Sequence, residues 1–117
     1  MTYRRGNIGA LRAHGRLRSA DGNKLEQAYG QALEFRRRIG EIEWFAFESL
    51  KLRLADNTFY TPDFFLMLKS GELQVHETKG FWEEDARVKI KVAASLYPFR
   101  FFGVKRARGE AWELEEF

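Results

Sequence analysis

The chain of 117 residues contains no cysteine, which excludes both a disulfide framework and a thiolate metal site. Histidine is nearly as scarce, with only His14 and His76, so a zinc centre is not expected. No segment approaches the roughly 20 apolar residues that span a bilayer, and the N-terminal arginines are not followed by the apolar stretch of a signal peptide. A soluble, intracellular protein without a membrane partner is therefore expected. No internal repeat or low-complexity block appears. What the chain does have is aromatic bulk: 11 Phe, 4 Tyr and 3 Trp within a hydrophobic content of 44% are enough for one packed core, and the length suits one domain.

Acid is missing from the first twenty residues, which carry Arg4, Arg5, Arg12, Arg16 and Arg18. The chain ends the opposite way, with Glu110, Glu113, Glu115 and Glu116 in its last eight positions. Residues 1–22 thus read as a basic arm, with Arg12, Arg16 and Arg18 as candidate contacts to a phosphate backbone or simply a solvated segment. Residues 23–117 read as a single domain closed by a short acidic tail, unless the region around Trp112 adds an edge strand.

Asp21-Gly22-Asn23 is a turn signal with Asn23 placed to cap a helix that runs to about Arg38 and stops at Gly40. Leu25, Ala28, Tyr29, Ala32 and Leu33 give that helix one apolar stripe. A first strand is expected from Ile42 to Leu54, a turn at Asp56-Asn57, a second strand from Phe59 to Leu68 and a third from Leu73 to Lys79. A second helix from Trp82 to Tyr97 begins with Glu83, Glu84 and Asp85, as the helix dipole favours, and Pro98 ends it. Phe99 to Lys105 reads as a fourth strand.

Chemistry concentrates where the third strand breaks its own pattern. Its odd positions run Leu73, Val75, Glu77, Lys79, so a face that begins apolar ends in opposite charges. Asp63 joins them if Lys69-Ser70-Gly71 forms a three-residue loop with Gly71 left-handed, because Leu68 then pairs with Glu72 and Asp63 falls opposite Glu77. A two-residue turn would place Asp63 on the other face. Two neighbouring carboxylates repel unless a cation joins them, and two acids with a lysine suit a hard divalent ion and a phosphodiester. An ion pair between Lys79 and either acid is the structural alternative. Glu26 is the candidate third acid, although its spacing from Asn23 also fits a capping box. Glu34 and Glu48 are rivals for that role. Lys89 and Lys91 on the second helix serve either as phosphate contacts or as a solvated face.

Thr61-Pro62-Asp63 followed by Glu77-Thr78-Lys79 resembles the PD-(D/E)xK nuclease superfamily. More closely, Asn23-Lys24-Leu25-Glu26-Gln27-Ala28-Tyr29, Phe59-Tyr60-Thr61-Pro62-Asp63-Phe64 and His76-Glu77-Thr78-Lys79-Gly80 look like small phage and prophage endonucleases of the Holliday-junction resolvase-like kind, over about residues 23 to 105. The resemblance implies an α/β fold with a restriction-endonuclease-like αβββαβ core, a central mixed sheet flanked by helices. It implies Mg²⁺ or Mn²⁺ held by Asp63, Glu77 and the Thr78 carbonyl, with Glu26 as a direct or outer ligand and Lys79 orienting the attacking water. It further implies a homodimer that acts on branched DNA in the cytoplasm of a bacterial host. A nicking or restriction-like nuclease, a non-catalytic DNA-binding protein on the same fold, and a subunit that recruits other proteins are the alternatives.

Overall fold

The computed structural model describes residues 20–117, with side chains from Lys24 onward. Arg12, Arg16 and Arg18 lie outside the described residues. In chain order the elements are α1 (Ala20–Arg38), β1 (Ile42–Phe47), β2 (Leu52–Ala55), β3 (Thr58–Tyr60), β4 (Phe64–Leu68), β5 (Leu73–Thr78), α2 (Glu84–Leu96), β6 (Arg100–Arg106) and β7 (Trp112–Glu116).

Asn23 is not a helix cap. The helical backbone already runs from Ala20, so Asn23 lies inside α1 and the Asn23–Glu26 capping box does not form. Gly22 costs such a helix about 1 kcal/mol relative to alanine, a penalty smaller than what the buried stripe downstream supplies through packing. That stripe includes Glu26, Tyr29, Gly30 and Leu33, which are spaced as one helical face. Gly40 ends the helix as expected. At φ +89 it adopts the left-handed conformation, its N–H bonding Arg37 O at 3.1 Å while Glu41 N–H reaches Arg36 O at 2.9 Å, a glycine-terminated helix end.

Five strands form one mixed sheet in the order β1-β4-β5-β6-β7, and β2-β3 form a separate pair. β5 and β6 are parallel; β1-β4, β4-β5 and β6-β7 are antiparallel. The two long strands expected before Leu68 are therefore each broken in two. Glu48 takes a left-handed φ of 49, and Pro62 interrupts the opposite arm where its missing N–H cannot join a ladder. Both breaks fall at the same level, so one long hairpin bends off the sheet and β2-β3 leave its plane.

The helices lie on opposite faces. Tyr29 and Leu33 of α1 pack with Ile42, Phe45, Phe64, Leu66 and Val104, and Ile90 and Ala93 of α2 pack with Leu52, Tyr60, Val75 and Phe101. The hairpin β2-β3 is thus covered by α2 and belongs to that second core. The segment expected as an acidic tail is the edge strand β7. Trp112 anchors it against the Tyr29 ring, with centroids 4.9 Å apart, while Glu115 meets Arg87 and Glu116 meets Arg100 at 2.8 and 2.7 Å. Exposed ion pairs of this kind contribute about 0–1 kcal/mol each; their charges also discourage pairing of this edge with another strand.

Candidate active site

The β4-β5 turn decides whether the charged side chains meet. Leu68 N–H bonds Glu72 O at 2.9 Å and Gly71 N–H bonds Leu68 O at 2.8 Å, with Gly71 left-handed at φ +96. This is the expected three-residue loop. Phe64 pairs with His76 and Phe65 with Val75, and continuing that register by one residue sets Asp63 opposite Glu77.

Both carboxylates are withdrawn from water, with Asp63 at 1% and Glu77 at 8% exposure. One oxygen of each accepts two hydrogen bonds. Asp63 Oδ2 accepts from the Thr78 N–H at 2.9 Å and from the Thr78 hydroxyl at 2.8 Å. Glu77 Oε1 accepts from the Tyr60 hydroxyl and from the Asp63 N–H, both at 3.0 Å. Glu77 Oε2 faces the Lys79 ammonium at 3.5 Å. The arrangement leaves a carboxylate pair and a cation at the end of β5, on the face that α2 covers.

Burial is the main force on Glu77, and the nearby Asp63 charge adds to it, so its carboxyl is pushed up from 4.5 to about 7. Lys79 and the two hydrogen-bond donors pull the other way without prevailing. Burial and the Glu77 charge raise the Tyr60 phenol far above its usual range, so it stays a donor. His76 shows the same desolvation with opposite sign. Buried at 1% exposure, it is driven down to about 3 and stays neutral, with Nδ1 accepting from Tyr29 at 2.6 Å. Its Nε2 then donates to Gln74 Oε1 at 2.9 Å. His76 is a packed and satisfied residue beneath α1.

Lys79 is seated by an aromatic wall. Its Nζ lies 6.0 Å from the Trp82 ring centroid, and Arg87 lies 5.8 Å from the same centroid. The Trp82 ring rests on Gly103 of β6, where an added Cβ would fall 2.6 Å from Trp82 Cζ2 and 3.1 Å from Phe117 Cε2. Gly103→Ala should therefore displace the indole and cost about 1–3 kcal/mol, the usual range for overpacking. Urea unfolding reads the loss; an unchanged midpoint means that the ring has room to move.

The remaining candidates are spread out. Glu26 is buried at 7% exposure on α1, one turn before Tyr29, against the sheet face opposite α2. Among the described residues no three His, Asp or Glu side chains form a group that could hold a metal ion, so Glu26 does not complete a triad with Asp63 and Glu77. Glu34 is taken by Arg37 and Arg38 at 2.8 and 3.1 Å. Glu48 touches the site through its backbone, its N–H donating to Asp63 O at 2.7 Å. Lys89 and Lys91 are exposed on α2. Tyr60 and Gly103 were not among the sequence candidates. A tyrosine two residues before Thr-Pro-Asp's proline carries no signal of a carboxylate partner 17 positions away, and the tight fit of Gly103 depends on a ring from another element.

A carboxylate pair can hold Mg²⁺ or Mn²⁺ without a third acid, since such ions are commonly bound by one or two carboxylates and keep several waters. The donors fit: both side chains offer hard oxygens, and the raised Glu77 carboxyl reflects burial first and the neighbouring Asp63 charge second. No family model matches the chain, and comparison with curated proteins and with solved structures finds no match either.

Proposed function

We propose that this protein is a metal-dependent endodeoxyribonuclease of the PD-(D/E)xK type that hydrolyses phosphodiesters in branched DNA and acts as a homodimer. The observation that carries the reading is the buried Asp63–Glu77 pair with Lys79 at 3.5 Å from Glu77 Oε2. Two desolvated acids cost stability, and a structural salt bridge needs only one of them. Branched DNA, the homodimer and a bacterial cytoplasm come from the motif resemblance and are part of the proposal.

Asp63 and Glu77 would hold Mg²⁺ or Mn²⁺, with the Thr78 carbonyl as a further ligand and Glu26 in an outer role. When bound, such an ion supplies charge stabilisation for the phosphoryl oxygen and acidifies water. The protein groups do the rest. Thr78 fixes the Asp63 carboxylate through Oδ2, the Tyr60 hydroxyl and Asp63 N–H fix that of Glu77 through Oε1, and Lys79 brings its ammonium to the attacking water and to the charge that grows on the phosphorane. Because that charge exceeds the charge of the diester, both cations favour the transition state over the ground state. Lys89 and Lys91, with the arm's Arg12, Arg16 and Arg18, would contact DNA phosphates and set a steep salt dependence.

The test uses labelled four-way junction, flap, duplex and single-stranded DNA with Mg²⁺ or Mn²⁺. Wild type should cut the junction by paired symmetric nicks. Lys79→Ala should cut about 10²–10³-fold more slowly, the usual loss for one group that stabilises transition-state charge, while still binding the junction. Binding without cleavage by wild type on all four substrates would leave the non-catalytic DNA-binding reading in its place.

A further inference from the structure

Tyr60 stands apart from every other donor at the site because it comes from the hairpin that has left the main sheet. β3 pairs only with β2, and the register ends at Leu52↔Tyr60. From there the chain passes through Thr61 and Pro62 to Asp63. The two donors to Glu77 Oε1, the Tyr60 hydroxyl and the Asp63 N–H, thus come from one short stretch of backbone and converge on one oxygen at 3.0 Å each. The hydroxyl is inside the protein, since Tyr60 is 8% exposed and packs with Val75, Ile90 and Phe101.

We propose that Tyr60 is a positioning residue: by holding Glu77 Oε1 it fixes the carboxylate rotamer so that Oε2 is presented to the divalent cation and to Lys79. The inference rests on the nuclease reading above and assigns a role to a residue outside the Asp-Glu-Lys set. A carboxylate anchored by one donor can still pivot about its terminal torsion, a broad and shallow well. A second donor on the same oxygen restricts that pivot. Such outer contacts orient metal ligands, and their loss commonly weakens metal affinity about 10–100-fold.

A second tyrosine provides the control. Tyr97, just after α2, donates its hydroxyl to Arg53 O of β2 at 2.7 Å, so it secures the same hairpin without touching Glu77. Mn²⁺ binding is measured through the free-ion electron paramagnetic resonance signal, with no DNA and no turnover, on wild type, Tyr60→Phe and Tyr97→Phe. The expected result is a Kd raised about tenfold or more in Tyr60→Phe and unchanged in Tyr97→Phe. Placing 4-aminophenylalanine at position 60 restores an N–H donor on a ring of the same shape and should bring the Kd back; it also serves as the reference if Tyr60→Phe does not fold. Wild-type Kd in Tyr60→Phe overturns the role given to Tyr60 while leaving the nuclease reading intact. Equal weakening in Tyr60→Phe and Tyr97→Phe overturns it as well, by assigning the effect to hairpin seating, as does failure of a folded 4-aminophenylalanine protein to recover. A wild type that binds no Mn²⁺ overturns the nuclease reading and this inference together.

Discussion

Asp63→Asn is expected to remove cleavage by about 10³-fold or more, as loss of a preorganised charge at a phosphoryl centre does, while the protein stays as stable as before or becomes more so. The two halves of this expectation have one cause. The asparagine side-chain oxygen can still accept from the Thr78 N–H and hydroxyl, which meet Asp63 Oδ2 at 2.9 and 2.8 Å, so those two hydrogen bonds survive. The negative charge does not, and with it goes part of the repulsion that lifts the Glu77 carboxyl. Sites that keep like charges together for function gain stability when the charge is removed. Cleavage rate and thermal unfolding are measured on the same preparation. A large fall in melting temperature with unchanged cleavage identifies Asp63 as a structural residue and ends the nuclease assignment.

Mn²⁺ affinity should fall about 100-fold between pH 8 and pH 5, because Glu77 must lose its proton to bind a cation and the apparent constant changes tenfold per pH unit below its pKa. Calorimetric titration at several pH values checks this, and a Kd independent of pH removes Glu77 from the ligand set. The same group leaves a mark on stability. Raised from 4.5 to about 7 in the fold, the Glu77 carboxyl holds its proton more tightly when folded than when unfolded. Its ionisation therefore lowers stability progressively as pH rises from 4.5 through 7.

His76 acts in the other direction. Lowered from 6.5 to about 3, it binds fewer protons folded than unfolded, so its contribution rises with pH between 3 and 6.5 and is lost as the solution is acidified. From these two groups stability should climb between pH 3 and 4.5, change little from 4.5 to 6.5 where the slopes oppose, and decline toward pH 7. Added Mn²⁺ should then raise the melting temperature more at pH 8 than at pH 5, since it stabilises the ionised pair.

How far the sequence reaches is clearest at the β4-β5 turn. Gly71 after Ser70 signals a left-handed position, and that one residue sets Leu68 against Glu72 and, by alternation, Asp63 against Glu77; the register is local and so was legible. Gly40 ended α1 for the same reason. The long hairpin was less readable. Its residues alternate as two continuous strands, and the break comes where a left-handed Glu48 lies level with Pro62, positions that only the pairing of β1 with β4 brings together. The start of α1 was misread because Asp21-Gly22-Asn23 favours a turn locally, while packing of Tyr29 and Leu33 extends the helix through it. For the acidic C-terminal segment the sequence left a tail and an edge strand around Trp112 both open, since its partners Arg87 and Arg100 lie 28 and 16 positions away from Glu115 and Glu116.

By itself the sequence determined the two helices, the hairpin register and the set Asp63, Glu77 and Lys79, because periodicity, turn chemistry and charge placed in an apolar pattern act over a few residues. Only the tertiary structure decided that both acids are buried, that Tyr60 and the Asp63 N–H share one Glu77 oxygen, that Trp82 is seated on Gly103 beside Lys79, and that Glu26 is buried on α1 without completing a triad. Desolvation and close packing are properties of elements brought together, and no window of sequence contains them.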